Sequence, residues 1–146
     1  MYTETVTIFN KLKTAQGTTW YPTVLHNVDL IVDKGANVTK TGLESADTAK
    51  LHIRYTLIDG NVTIAGKPYK RPKEWAAQAS ASIAETITFA STDLFMLGEY
   101  QQTPINDNEY KDGFDVYIKK SKDDVFVISN VGGPYKVIPH FEIGGE

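Results

Sequence analysis

The sequence contains no cysteine, and this absence excludes several kinds of chemistry at once. Disulfide bridges, thiolate metal sites and cysteine nucleophiles all require that side chain. The first nine residues lack a basic region followed by an apolar run, so we predict no secretory signal. No apolar run approaches the length that spans a membrane. We therefore expect a soluble protein that is synthesised in the cytoplasm and does not contact a membrane.

A strong excess of charge of either sign is also missing. Fifteen basic residues stand against eighteen acidic ones, which gives a formal net charge of −3. This balance argues against a protein built mainly to neutralise nucleic-acid phosphates, although a local basic patch is compatible with it. With 146 residues the chain has the size of one ordinary domain, and no linker, repeat or low-complexity tract divides it. We expect a single domain over residues 1–146.

Motifs for catalysis and for cofactor binding are absent as well. No serine lies in a G-x-S-x-G sequence, and no glycine run has the spacing of a phosphate-binding loop. The histidines His26, His52 and His140 are far apart and lack the spacing of metal ligands. His140 and Glu142 form an H-x-E sequence, but zinc deaminases also need cysteine ligands. We predict that the protein is not an enzyme and uses no metal, cofactor or small-molecule substrate.

Alternation of apolar and polar residues is the main structural signal in this chain. Residues 51–57 alternate strictly, which is the period of a strand with one buried face. The same alternation at Phe114, Val116 and Ile118 predicts another strand, and Val137–Ile143 is predicted to form the last one. With comparable short segments elsewhere, the pattern predicts about eight short strands and at most one short helix. The expected fold is a mainly β small barrel or sandwich with long loops.

Turn and helix signals lie between the predicted strands. Asp59–Asn61 is a strong hairpin signal. Pro72 suits the first turn of a helix, because proline loses no hydrogen bond there. In a continuous helix Trp75, Ala79 and Ile83 would share one face. The serines of this segment weaken a helix, so a single turn followed by irregular chain is the alternative.

Two long polar segments interrupt the strands, and we predict that both form arms. They are Asp33–Lys50 and Tyr100–Gly113. Loops of this length in a compact domain are usually functional or disordered. The first segment contains apolar residues that a purely solvating loop would not need, as in segments that become ordered against a neighbour. The contact residues that we predict in this first arm are Asn37, Val38, Lys40 and Leu43.

The segment Lys67–Trp75 is the one basic cluster, and aromatic residues are interleaved with its lysines and arginine. It has three interpretations. It follows a phosphate backbone, with its aromatic rings as stacking platforms; it is a solvated turn whose tryptophan is buried against the barrel; or it docks onto a protein, since Trp, Tyr and Arg often anchor interfaces. The partner contacts predicted by the third interpretation are Tyr69, Lys70, Arg71 and Trp75.

Six phrases of the sequence carry a family resemblance: Thr3–Asn10, Thr19–Leu25, Gly35–Val38, Lys67–Trp75, Phe95–Glu99 and His140–Gly145. They resemble phrases in a group of small structural proteins from tailed phages and prophages of Gram-positive bacteria. The resemblance covers most of the chain in order, although its phrases include no catalytic residue. In that group the last phrase usually has Trp at the position of Phe141.

The resemblance implies a component of the connector between phage head and tail, acting by assembly. Members tend to be encoded in the head-to-tail region of the structural genes. A head-closure (stopper) or head–tail joining protein of this kind forms a ring in the neck of the virion. In such a ring we expect the arm Asp33–Lys50 to contact a neighbouring subunit or to plug the channel. Its implied partners are copies of itself, the portal, adaptor and tail proteins, and the packaged DNA in the channel. An acidic subunit suits that channel, since like charge discourages tight phosphate contacts.

Two other functions stay open from the sequence. Within the virion, the alternative is a tail-terminator or tail-completion protein. From another class, the alternative is a small β-barrel that binds single-stranded nucleic acid through the basic cluster.

Overall fold

The computed structural model describes residues 2–33, 36–39, 42–45 and 47–146, and over these residues the chain is mainly β. This confirms the predicted fold class. The strands are β1 (Glu4–Thr14), β2 (Gly17–Asp33), β3 (Ala36–Thr39), β4 (Gly42–Ser45), β5 (Thr48–Arg54), β6 (Thr56–Ile58), β7 (Asn61–Ile64), β8 (Lys67–Pro68), β9 (Leu94–Leu97), β10 (Ile105–Asn106), β11 (Val125–Tyr135) and β12 (His140–Gly145). The helices are α1 (Pro72–Ala76), α2 (Ser80–Ile83) and α3 (Phe114–Ser121), and a 3-10 turn covers Asp107–Glu109.

Six of the strands close into an antiparallel barrel. Pairing runs from β1 through β9, β11, β12, β5 and β2, and β2 pairs back with β1. Closure removes the unpaired strand edges that an open sheet exposes. Of the two predicted architectures, barrel or sandwich, the structure is the barrel. It carries a seventh strand, β10, paired with β2.

The long strand β2 makes closure possible because it serves two neighbours. Its residues 17–28 pair with β1, and its residues 29–33 pair with β5. Close to the junction of these two parts, Asn27 adopts a positive φ of 57°. Asparagine tolerates this left-handed conformation better than most residues, so the strand can change direction there.

The barrel interior is filled by the inward face of each strand. Alternation predicted that Leu51, Ile53 and Tyr55 are buried, and all three are. The prediction for Leu57 is wrong, because this residue is 63% exposed. β5 ends at Arg54, and the chain then leaves the barrel wall through β6. The interior residues are Val6, Ile8, Leu25, Val28, Ala49, Leu51, Ile53, Tyr55, Ile64, Ile87, Phe89, Phe95, Phe126, Ile128, Phe141 and Ile143.

A second apolar cluster lies on the outer side of β1 and β9, and helix α3 covers it. The prediction of a strand at Phe114–Ile118 is wrong, since these residues begin α3. Five residues of alternation also fit a helix, where Phe114 and Ile118 share a face at a spacing of four. Both side chains are buried. The cluster consists of Phe9, Trp20, Leu94, Met96, Ile105, Phe114 and Ile118.

The predicted second arm, Tyr100–Gly113, packs on the barrel instead of extending from it. Ile105 is buried and pairs with Trp20 of β2. The Trp20 indole Nε1 donates to Asp107 Oδ1 at 2.9 Å, and the same oxygen accepts from the Phe114 backbone N at 2.8 Å. Most residues of this segment are polar, so the sequence pattern did not indicate these contacts of Ile105 and Asp107. The prediction that Tyr100–Gly113 forms an arm is wrong.

Short helices follow the β6–β7–β8 sheet. The hairpin at Asp59–Asn61 is confirmed, because Ile58 pairs with Asn61. Pro72 begins α1 as predicted, but the helix is one turn long and α2 starts separately. The alternative of a single turn is therefore correct for α1, but its prediction of irregular chain afterwards is wrong, because Ser80–Ile83 form α2. The prediction of at most one short helix is wrong, since the described residues form three helices.

The segment between β2 and β5 is not a structureless loop. Asp33 and Thr48 form the last pair between those strands, and the chain between them contains β3 and β4. These two strands pair from Ala36 with Ser45 to Thr39 with Gly42, and they form a two-stranded sheet of their own. We call this β3–β4 hairpin the arm.

Candidate interaction surfaces

The two aromatic residues of the basic cluster are part of the core. Trp75 is 2% exposed, and its ring meets Tyr21 edge-on at 5.8 Å between centroids. Tyr69 is half-buried, with its ring 4.8 Å from Phe141 and 5.7 Å from Phe89. Burial raises the pKa of the Tyr69 hydroxyl. Trp75, one of the predicted partner contacts, therefore has no accessible side chain in the folded chain.

The basic residues of the cluster divide into two that are half-buried and two that are exposed. Lys67 is half-buried and its Nζ donates to Thr23 Oγ1 at 2.9 Å. Burial lowers the pKa of this lysine. Lys70 is half-buried, whereas Arg71 and Lys73 are exposed on either side of Pro72. Only these last two keep a fully exposed positive charge for a partner in this segment.

A cavity of about 270 Å³ lies beside α1. Trp75 and Thr88 line it, and both have a buried polar atom without a hydrogen-bond partner among the described residues: the indole Nε1 and the hydroxyl Oγ1. Buried polar atoms in native proteins are usually satisfied by protein or by ordered water. The cavity walls also include Lys11, Lys13 and Asp93.

Asp93 is a buried carboxylate that fixes the chain just before β9. Its Oδ2 accepts from Asn10 Nδ2 at 2.9 Å and from the Ala90 backbone N at 3.1 Å, and its Oδ1 accepts from the Lys11 backbone N at 3.0 Å. Asn10 Nδ2 also donates to the Thr88 carbonyl at 2.6 Å. Burial raises the pKa of Asp93 to about 6, against the opposite effect of the three N–H donors.

This raised pKa predicts a loss of stability as pH increases from 4 to 7. The unfolded state has an Asp pKa near 3.9. A folded pKa of about 6 means that the native state disfavours the charged form. The contribution of Asp93 to the free energy of unfolding is fully present below about pH 4. It is lost as pH rises through 6, and the free energy of unfolding falls by about 3 kcal/mol. The variant Asp93→Asn lacks this titration. In urea unfolding, the stability of the wild type relative to the variant should fall over this range; a rise would show that the hydrogen bonds outweigh burial.

Two of the three histidines meet on the outer surface of the barrel. Asp29, His52 and Glu142 are register neighbours on β2, β5 and β12. The rings of His52 and His140 are 6.2 Å apart, and Glu142 Oε1 is 3.3 Å from His140 Nε2. The hydrogen bond with the Ile138 carbonyl, and secondarily Glu142, raises the pKa of His140. In the described part of the chain no group of three His, Cys, Asp or Glu residues could hold a metal ion.

Aliphatic residues are exposed where two hairpins leave one end of the barrel. Leu57 and Ile58 are 63% and 54% exposed, and Val137 and Ile138 are 97% and 67% exposed. The backbone N of Tyr55 donates to the Pro139 carbonyl at 3.3 Å, which places the hairpins side by side. We call these four aliphatic residues the tip patch.

Sequence reasoning missed the tip patch for an identifiable reason. The last strand was predicted at Val137–Ile143, but β12 begins at His140. Both Leu57 and Val137 continue an apolar alternation beyond the point where the barrel wall ends. Period two alone does not mark that point, because exposed and buried aliphatic positions look the same in sequence.

The predicted contacts of the first arm are placed only in part. Asn37 and Val38 lie on β3, and Leu43 lies on β4. Lys40 lies outside the described residues. The hairpin therefore brings three of the four predicted positions into one two-stranded unit, with Val38 paired with Leu43.

A family model matches the whole chain, over residues 1–146, and its description is a family of unknown function, DUF6751. The chain belongs to DUF6751. No curated protein and no solved structure matches the chain significantly. Among the described residues, no helix is long and apolar enough to cross a membrane. For this DUF6751 member, function must therefore be argued from its own surfaces.

Proposed function

We propose that this protein is a ring subunit of the head–tail connector of a tailed phage, of the head-closure or head–tail joining type. It acts by assembly, and its partners are copies of itself, the portal or adaptor above it and tail proteins below it. The tip patch is the observation that carries the proposal. Exposed apolar patches of this kind mark sites of protein contact.

The architecture supports this proposal in a second way. A ring subunit needs a rigid body that fixes its geometry and extensions that reach its neighbours. The closed barrel provides the first, and the arm and the two hairpins of the tip patch provide the second. The resemblance of the sequence to phage proteins of the head–tail region agrees with this arrangement.

The alternative of a protein that binds single-stranded nucleic acid loses support from the positions of two aromatic rings. Stacking on bases requires exposed rings, but Trp75 is buried and Tyr69 is half-buried. The exposed Arg71 and Lys73, beside the cavity lysines Lys11 and Lys13, would still attract phosphates. Binding of a labelled oligonucleotide that weakens with salt and with Arg71→Ala would favour this alternative over assembly.

The proposal is tested in the phage that encodes the protein. Particles made without it should be separate heads and tails, because the two parts cannot join. Electron micrographs count joined particles, and a labelled antibody locates the protein in complete ones. Label at the neck, next to the head, supports the proposal; label on the upper end of free tails would favour the tail-terminator alternative, and normal particles without the protein would contradict both.

A further inference from the structure

We propose that copies of this chain join head to tail, with the arm of one copy adding to the free edge of β6 in the next copy and covering its tip patch. This inference rests on the proposed ring assembly, and it names the two surfaces that form each junction. The sequence predicted an arm that contacts a neighbour but gave no receiving surface. The structure supplies one.

The arm is a structural unit that lacks a third strand. Its strands pair with each other, and within the described residues neither pairs with a strand of the barrel. A two-stranded hairpin is at best marginally stable in water, and it gains stability from a further strand or an apolar surface. The arm therefore has the properties of a segment that is completed by a neighbour.

The receiving surface is a strand edge that has no partner strand. β6 is the edge strand of the sheet ordered β6, β7 and β8, and all three of its residues are exposed. Proteins usually protect such edges with charge, proline or a covering segment. Here the edge presents Leu57 and Ile58, and the neighbouring turn adds Val137 and Ile138. An added strand would pair with the backbone of β6 while its side chains cover these aliphatic groups.

Within one molecule the arm and this surface begin at opposite ends of β5. The arm leaves the barrel at the pair of Asp33 with Thr48, whereas β6 follows Arg54 at the other end of β5. The seven residues of β5 span about 20 Å, whereas each four-residue strand of the arm spans about 13 Å. A junction between two molecules brings such opposite surfaces together.

Because the two surfaces lie at opposite ends of β5, the contact that we propose can repeat from copy to copy. Unless two copies exchange their arms reciprocally, each copy keeps one unused arm and one unused edge after the first junction. Repetition of such a contact gives a closed ring or an open filament, according to the rotation between copies. A symmetric dimer would leave no such free surfaces.

Disulfide trapping tests the junction directly, because the native chain has no cysteine that could interfere. One purified chain carries Leu43→Cys in the arm and a second carries Leu57→Cys in the tip patch. Under mild oxidation the mixture should give a disulfide-linked heterodimer in high yield. The matched control replaces the second chain with Tyr117→Cys, an exposed position on α3, and should give little product. Equal yields from both mixtures, or no product from the first, would overturn the inference.

A single chain with both Leu43→Cys and Leu57→Cys then tests polarity. Head-to-tail contacts should give a ladder of linked dimers, trimers and larger species on a denaturing gel. Adding Ile58→Lys should shorten the ladder, since a charge in the patch opposes burial, whereas Lys119→Ala should not change it. A product that stops at the dimer would show a symmetric contact instead.

The failure of this inference is separable from the failure of the proposed function. Particles that lack a neck without the protein, together with absent cross-links, would keep the connector role and reject the arm junction. A ladder in the purified protein, together with normal particles in its absence, would keep the junction and reject the connector role.

Discussion

Deleting residues 36–47 should leave a folded barrel that no longer completes virions. The strands β2 and β5 keep their pairs up to Asp33 with Thr48, because the deletion begins and ends outside these pairs. Only Lys34 and Gly35 then join the two strands. Two residues, with glycine in the second position, are enough for a tight hairpin loop. We expect near-native stability and a loss of joined particles by at least tenfold.

The measurement combines circular dichroism and urea unfolding of the purified variant with a count of plaques from a complementation assay. Lys119→Ala, an exposed change on α3, serves as the control and should complement fully. An unfolded product would show that the deleted segment is needed for the barrel itself. A folded variant that complements fully would show that the arm has no role in assembly.

Replacing Phe114 with alanine should destabilise the protein by about 3–5 kcal/mol, the range found for large-to-small changes of buried aromatic residues. Phe114 is fully buried at the centre of the outer apolar cluster. Its ring centroid lies 5.3 Å from that of Phe9, 5.2 Å from that of Tyr110 and 6.0 Å from that of Trp20. Loss of this ring removes the contacts that hold α3 on the barrel.

Urea unfolding followed by tryptophan fluorescence gives this free energy, and Trp20 of the same cluster reports it locally. Tyr117→Ala is the matched control, since Tyr117 is on the same helix but 45% exposed. This control substitution should lower the free energy of unfolding by less than about 1 kcal/mol. A small effect of Phe114→Ala would mean that α3 contributes little to the stability of the barrel.

Local sequence patterns determined the fold class and parts of the barrel. The alternation through Leu51 and Ile53 identified a strand and its buried face, because side chains on a strand alternate between two sides. The hairpin at Asp59–Asn61 was also predictable, since Asp and Gly tolerate the positive φ values of 51° and 79° found at positions 59 and 60. Pro72 marked the start of α1 for a similar local reason.

Features that depend on distant residues were not predictable. Asp93 and Asn10 are 83 residues apart, so nothing local indicates their buried hydrogen bond. Residues 100–113 are polar on average, yet Ile105 and the hydrogen bonds of Asp107 hold them against the barrel. The alternation at Phe114–Ile118 fits a strand or a helix, and the cluster around Phe9 selects the helix.

The sequence by itself thus determined that the chain is a β domain with a basic cluster and a long segment between two strands. Tertiary structure alone decided which aliphatic and aromatic residues face outward. It buries Trp75, which composition favoured as a partner contact, and it exposes Leu57 and Val137, which alternation placed in strands. The physical reason is that burial depends on where the barrel wall ends, and that end is set by pairing between strands far apart in the chain.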